Sequence, residues 1–249
     1  MSGHSKWATI KHKKGAADAK RGQLFAKLAR QIEVSARAGG GDVDMNPTLR
    51  TAVQKAKAAS MTNEAIDRAI KRATGEGNGG TYEDITYEGY APGGVALLID
   101  VLTDNRNRTS ADLRTILSKM GGSMAEPGAV GWQFTRRGVV LIDGPVDEDE
   151  LMMAALESGA DDVADDGGTW RVTCDPSDTF EVKERLEAAG YTVVSADMPM
   201  VSDNLVRVDS VDDAKNLIRI LDAIEDNDDV QDVYSNFDIS DDVMEAATA

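Results

Sequence analysis

The chain has 249 residues, of which 41% are apolar and 29% charged, with a formal net charge of −17. Such proportions belong to a globular protein able to build a core and argue against disorder throughout. A single cysteine, Cys174, excludes an internal disulfide and a paired-thiol metal or redox site, and the longest apolar run, 95–99, is far too short to span a bilayer.

No apolar stretch of signal-peptide length follows the basic start, so the protein is expected to be soluble and cytoplasmic, with no membrane partner. Charge is unevenly distributed. Residues 1–72 carry 15 Lys+Arg against 6 Asp+Glu, a net of +9, and the remainder carries 12 against 38, a net of −26. A basic lobe on an acidic body draws phosphate to one end of the molecule and repels it from the other.

The basic lobe opens with Gly3-His4-Ser5-Lys6-Trp7 and Ile10-Lys11-His12-Lys13-Lys14, an arm of cations and hydrogen-bonding groups around one aromatic ring. Trp7 can stack on a base or anchor the arm on the helices behind it. From 16 to 38 the period is helical, with Leu24, Phe25, Leu28, Ile32 and Ala36 on one face and Lys20, Lys27, Arg30 and Arg37 roughly opposite. Gly39-Gly40-Gly41 then predicts a mobile loop. Asn46-Pro47 predicts a helix over 47–59, and Thr62, flanked by the staple pair Met61 and Ile66, starts a third that ends at Gly75. Residues 1–75 thus read as a basic helical domain with an N-terminal arm.

Gly75-Glu76-Gly77-Asn78-Gly79-Gly80 matches GxGxxG by letter. A dinucleotide loop needs a strand before it and a helix after it, and here the order is reversed, so the stretch reads as a linker. Strands are expected over 85–90 and 95–102, with a Pro92-Gly93-Gly94 turn between them, then a helix over 110–120. Asn105, Arg106 and Arg108 would sit just before that helix, where free N–H groups and the dipole favour an anion. They serve equally as turn and cap residues with the arginines paired to acids. A short strand is expected over 130–134.

Residues 138–196 give β-α-β-β-α-β, a ferredoxin-like unit complete in itself. A strand over 205–208, a helix over 212–224 and a strand over 230–237 would then complete the sheet begun at Ile85. The expected fold class is α+β in three domains: 1–75 helical, a discontinuous α+β domain over 81–135 and 203–240, and an inserted ferredoxin-like domain over 136–202.

Little here suggests catalysis. His4 and His12 are the only histidines and have no ligand-spaced Cys, Asp or Glu beside them, so no metal or other cofactor is expected. The acidic runs at 147–150, 161–166, 226–232 and 241–242 lack the alternating oxygens and central glycine of a calcium loop and read as solvated surface. No nucleophile elbow, P-loop or HExxH is present, and the methionines read as core filler. The residues describe a non-enzymatic binder. Its candidate nucleic-acid contacts are His4, Lys6, Trp7, Lys11, His12, Lys13, Lys14, Lys20, Arg21, Lys27, Arg30 and Arg37, with Asn105, Arg106 and Arg108 as a second candidate anion contact.

The segments 1–7, 10–14, Asp18-Ala19-Lys20-Arg21-Gly22, Tyr87-Glu88-Gly89-Tyr90-Ala91-Pro92-Gly93-Gly94-Val95 and Thr103-Asp104-Asn105-Arg106-Asn107-Arg108-Thr109 resemble the signature segments of the YebC/PmpR family. Thr9, Ala91 and Gly131 depart from the usual residues there. The resemblance implies three domains and cytoplasmic action on gene expression without catalysis. It implies either a DNA-binding transcriptional regulator or, through a mitochondrial relative that activates translation, a factor that contacts ribosomal RNA or tRNA on the ribosome and relieves stalled elongation, for example at proline runs. A flexible basic arm suits irregular RNA, and no helix pair carries an evident helix-turn-helix signature.

Overall fold

The computed structural model describes residues 18–75, 82–166 and 168–248; the N-terminal arm and most of the glycine-rich linker lie outside them. The helical lobe comprises α1 (Asp18–Gly39), α2 (Pro47–Ala58) and α3 (Asn63–Thr74). Both later helices start where side chains cap them: the Asn46 carboxamide accepts from Leu49 N–H, and the Thr62 hydroxyl accepts from Ala65 N–H. Leu28, Ile32, Ala36, Leu49, Val53 and Ile66 form the core, and Met61 is buried with Ile66 at the staple spacing. The expected inward stripe holds from Leu28 onward. Leu24, by contrast, is 45% exposed and Phe25 only partly buried, because the first turns of α1 face the acidic segment 226–229 and not the helical core.

The glycine loop is also tighter than its composition suggests. Asn46 is buried and donates to the carbonyls of Ser35 and Gly40. A Cβ on Gly39 would fall 2.6 Å from the Asn46 carboxamide nitrogen, and one on Gly41 2.9 Å from the Thr74 methyl. Here glycine permits close approach, so the expectation of a loose loop is corrected to a packed one.

The middle sheet has strand order β11-β2-β1-β3, from β1 (Glu83–Tyr90), β2 (Ala96–Thr103), β3 (Ser123–Met124) and β11 (Val230–Ser235). All three pairings are antiparallel. Strand β2 is central and apolar on both faces. Leu97, Ile99 and Val101 pack against α4 (Arg106–Lys119), α7 (Val211–Glu225) and α8 (Asp241–Thr248), while Ala96 and Leu98 pack with Val130, Phe134 and Tyr234 on the other side. The final segments therefore join the sheet begun by β1, as expected, with one difference: β10 (Val206–Arg207) does not enter it. That strand pairs in parallel with β12 (Phe237–Asp238). The expected strand over 230–237 breaks at buried Asn236, whose carboxamide leaves the ladder to accept from Ala96 N–H and to donate to Gln133 Oε1 and the Asn204 carbonyl.

The expected strand over 130–134 is instead a single 3-10 turn, Gly131–Gln133, followed by β4 (Phe134–Arg136). Its cause is Glu88, whose carboxylate accepts from the backbone N–H of Gly128 (2.6 Å), Val130 (2.5 Å) and Gly131 (2.9 Å). Donors that a ladder would use are thus taken by a side chain. Strand β4 then pairs with β9 (Met200–Ser202), closing the base of the inserted unit.

That unit contains β5 (Gly138–Asp143), α5 (Glu148–Glu157), β6 (Asp162–Asp165), β7 (Thr169–Cys174), α6 (Thr179–Ala188) and β8 (Thr192–Asp197). Its sheet has the order β6-β7-β5-β8 and is antiparallel throughout, which is the ferredoxin-like arrangement. Val140, Ile142, Leu151, Val172, Val182 and Leu186 fill its core. Cys174 is buried there as a free thiol. The fold is α+β, with a helical lobe and two α+β units, one inserted in the other.

Candidate nucleic-acid interface

His4, Lys6, Trp7, Lys11, His12, Lys13 and Lys14 lie outside the described residues, as does the side chain of Lys20. The remaining α1 cations divide into two groups. Arg21 is exposed, with its guanidinium 5.6 Å from the centroid of the Phe25 ring, and Arg37 is exposed in the last turn, where a cation suits the negative end of the helix. Lys27 and Arg30 turn the other way, into a junction with the middle domain.

At that junction Lys27 Nζ donates to the Glu225 carbonyl (2.5 Å), and Gln23 Nε2 donates to the Asp226 carbonyl (2.7 Å) and to Asp228 Oδ1 (3.2 Å). Arg30 Nη1 lies within hydrogen-bond distance of three oxygens: Leu102 O (3.2 Å), Asp228 O (2.9 Å) and Asp229 Oδ1 (3.2 Å). The Tyr82 ring sits 5.3 Å from its guanidinium, close enough for a cation–π contact. The contacts of Lys27 and of Gln23 with the Glu225 and Asp226 carbonyls fall at the C-terminus of α7, where carbonyls have no partner within the helix.

Asp229 is the hub. Its side chain is 8% exposed, and its Oδ2 accepts from Arg108 Nη2 (2.7 Å), Thr103 Oγ1 (3.0 Å) and Thr109 Oγ1 (2.7 Å). Burial alone would push this carboxyl up, but the hydrogen bonds from Arg108, Thr109 and Thr103 outweigh it together and hold the carboxyl below the usual carboxylate range. Arg108 also pairs with Asp104 (2.9 Å), and its guanidinium is held further into the charged form by Asp229 first and Asp104 second.

Helix α4 starts at Arg106, four residues earlier than its apolar period suggests. Asn105 is the cap and accepts from Arg108 N–H (3.1 Å). Arg106 and Arg108 therefore sit within the first turn and not ahead of it. Of the two readings open for this segment, the geometry places Asn105 as cap and Arg108 as ion-pair partner; Arg106 is exposed, with its carbonyl accepting from Tyr87 Oη (3.2 Å).

Some cations were missed because they do not fall on the α1 stripe. Helix α2 carries Arg50, Lys55 and Lys57 with no acid in its twelve residues, a signal visible in sequence. Arg50 folds back onto the carbonyls of Val43 and Asp44, and Arg72 pairs with Glu33. Lys55, Lys57, Arg68 and Lys71 make no ion pair among the described residues. No group of three or more His, Cys, Asp or Glu among the described residues could hold a metal ion, and no described helix is long and apolar enough to cross a membrane.

A lobe of three helices with uncommitted cations, riveted through buried Asp229 to an α+β body with a ferredoxin-like insertion, is the architecture the comparisons with known proteins match. Residues 5–76 match the family described as the TACO1/YebC protein N-terminal domain, and residues 82–237 match the TACO1/YebC second and third domain. The chain belongs to the TACO1/YebC family. It is 54% identical over 251 residues to a protein of Halothermothrix orenii, covering 100% of this chain and 99% of that one. It is 58% identical over 246 residues to one of Rubrobacter xylanophilus, covering 98% of each. Both relatives are named "Probable transcriptional regulatory protein". The crystal structure of a conserved hypothetical protein, Aq1575, from Aquifex aeolicus superposes with a TM-score of 0.81 at 42% identity, over 95% of this chain and 98% of that one. The resemblance read from the motifs is thereby established.

Proposed function

We propose that this protein is a non-enzymatic, cytoplasmic regulator of gene expression that binds nucleic acid, duplex DNA in the first place, through its N-terminal lobe. The observation that carries this reading is the +9 net charge of residues 1–72 set on a −26 remainder, which orients the molecule before contact and confines phosphate to one end. The names of its relatives support a regulatory role. In this reading the arm residues, Lys20, Arg21 and Arg37 contact phosphate, and Lys55, Lys57, Arg68 and Lys71 widen the contact. The three-domain division, with breaks near 75–81, 135 and 203, belongs to the same proposal: the acidic units are kept off the polyanion.

The test is binding to labelled duplex DNA and, in parallel, to structured ribosomal RNA over a salt series. Six to ten phosphate contacts would lower affinity by roughly 10³ to 10⁵ between 50 and 200 mM salt. Binding that ignores salt on both ligands would remove the electrostatic reading. Preference for RNA at every salt concentration would move the function to translation.

A further inference from the structure

Lys27 and Arg30 belong by sequence to the cationic face of α1, yet both are already occupied, and the nature of what occupies them is informative. Their hydrogen bonds run to oxygen acceptors, the carbonyls of Glu225, Asp228 and Leu102 and the carboxylate of Asp229, with the Tyr82 ring beside Arg30. Gln23 adds the Asp226 carbonyl and the Asp228 carboxylate. Five of these six groups are at the end of α7 or in the loop 226–229 directly after it. That helix has no basic residue in its last turn, so its negative dipole end is offset by α1 rather than by its own side chains. Exposed Asp226 and Asp228 add formal charge there. To α1 this segment offers what a nucleic-acid backbone offers, namely closely spaced oxygens carrying negative charge.

We propose that the C-terminal end of α7 and the loop 226–229 form a built-in phosphate mimic, which occupies the cationic face of α1 and is displaced when a polyanion binds there. It rests on the reading of the N-terminal lobe as a phosphate-binding element and adds a closed and an open state to it. The lobe is tied to the body by polar contacts, and α1 near Leu24 lacks an apolar seal. Contacts of this kind weaken with ionic strength and exchange for others of like chemistry. In the closed state Gln23, Lys27 and Arg30 are withheld from phosphate. In the open state they join the arm, and the freed segment meets solvent.

Spin labels at Asn63→Cys on α3 and Ser118→Cys on α4, both exposed positions, report the separation of the lobes by pulsed electron resonance; Cys174 is fully buried. Inorganic polyphosphate, a polyanion without bases, is the probe. The label distance should lengthen as polyphosphate is added at low salt, and an unchanged distance at saturation would overturn the proposal. Separately, Asp226→Asn with Asp228→Asn leaves the Asp229 hub in place and should tighten polyphosphate and DNA binding roughly threefold to tenfold. Asp161→Asn with Asp162→Asn makes the same charge change at exposed sites in the inserted unit and should alter binding less than about twofold. Equal gains in both double variants would reduce the effect to net charge and also overturn it. If polyphosphate opens the lobes while neither DNA nor RNA binds, the nucleic-acid function fails and the mimic stands. If DNA binds with the distance unchanged, the function stands and the mimic falls.

Discussion

Asp229 gathers two arginines and two threonines from three elements, and all of its partners are distant in sequence: Arg30 lies 199 residues away and Arg108 121. Nothing in an Asp-rich surface run distinguishes it from Asp226 or Asp228, because the difference is burial, which depends on the finished fold. Truncation leaves both guanidiniums without their shared acceptor. Asp229→Ala is expected to cost about 2 kcal/mol, less than a fully buried pair because Arg108 is half exposed; the denaturant midpoint measures it. Glu88 makes a pH prediction. Burial pushes its carboxyl up, but backbone N–H groups of Val130, Gly128, Gly131 and Ala129 together more than reverse this, so its folded value lies below the ordinary 4.5. A depressed carboxylate contributes stability in full above its unfolded value and loses it as pH falls through the folded one. Glu88→Gln should therefore be less stable at neutral pH and show a flatter fall in melting temperature below about pH 4.5. An acid limb that overlays the wild type would refute the role given to this carboxylate.

Among the elements, legibility follows the locality of the signal. Helices α2 and α3 were readable because Asn46-Pro47 and Thr62 place a cap directly before an apolar period. The start of α4 was not, because Arg106-Asn107-Arg108-Thr109-Ser110 is polar and hides the period until Leu113, the first fully buried apolar residue of the helix. The β-α-β-β-α-β order of the insertion was legible from alternating periods, and its strand order followed. The turn at 131–133 was not, since a carboxylate forty residues upstream shapes it. Of the candidate interface, the α1 stripe was visible and the engagement of Lys27 and Arg30 was not; their acceptors are mostly main-chain carbonyls, which leave no mark in a sequence. Packing at β5 offers a test at this scale. A Cβ on Gly138 would fall 2.4 Å from Thr179 Oγ1 and 2.6 Å from the Cys174 sulfur. Gly138→Ala should destabilise the inserted unit by about 1–3 kcal/mol. Hydrogen exchange should then quicken in β5, β7 and α6 while α2 and α3 keep their wild-type protection.

For the whole molecule, chain order and spatial order disagree. Strand β2 is the middle of its sheet, but one neighbour, β11, begins at Val230, after the entire ferredoxin-like unit. During synthesis at 5–20 residues per second, the interval between residues 103 and 230 lasts roughly 6 to 25 s. Throughout it, a strand with apolar side chains on both faces has β1 on one edge and nothing on the other. The helical lobe and the insertion can each close in that time, since the apolar core of each is drawn from its own residues. A chain stopped after residue 204 should accordingly protect 138–197 from protease and leave 83–124 open to cleavage. The insertion thus sets a waiting period in the birth of the protein, and the nascent β1–β2 hairpin is where a holdase chaperone would find it.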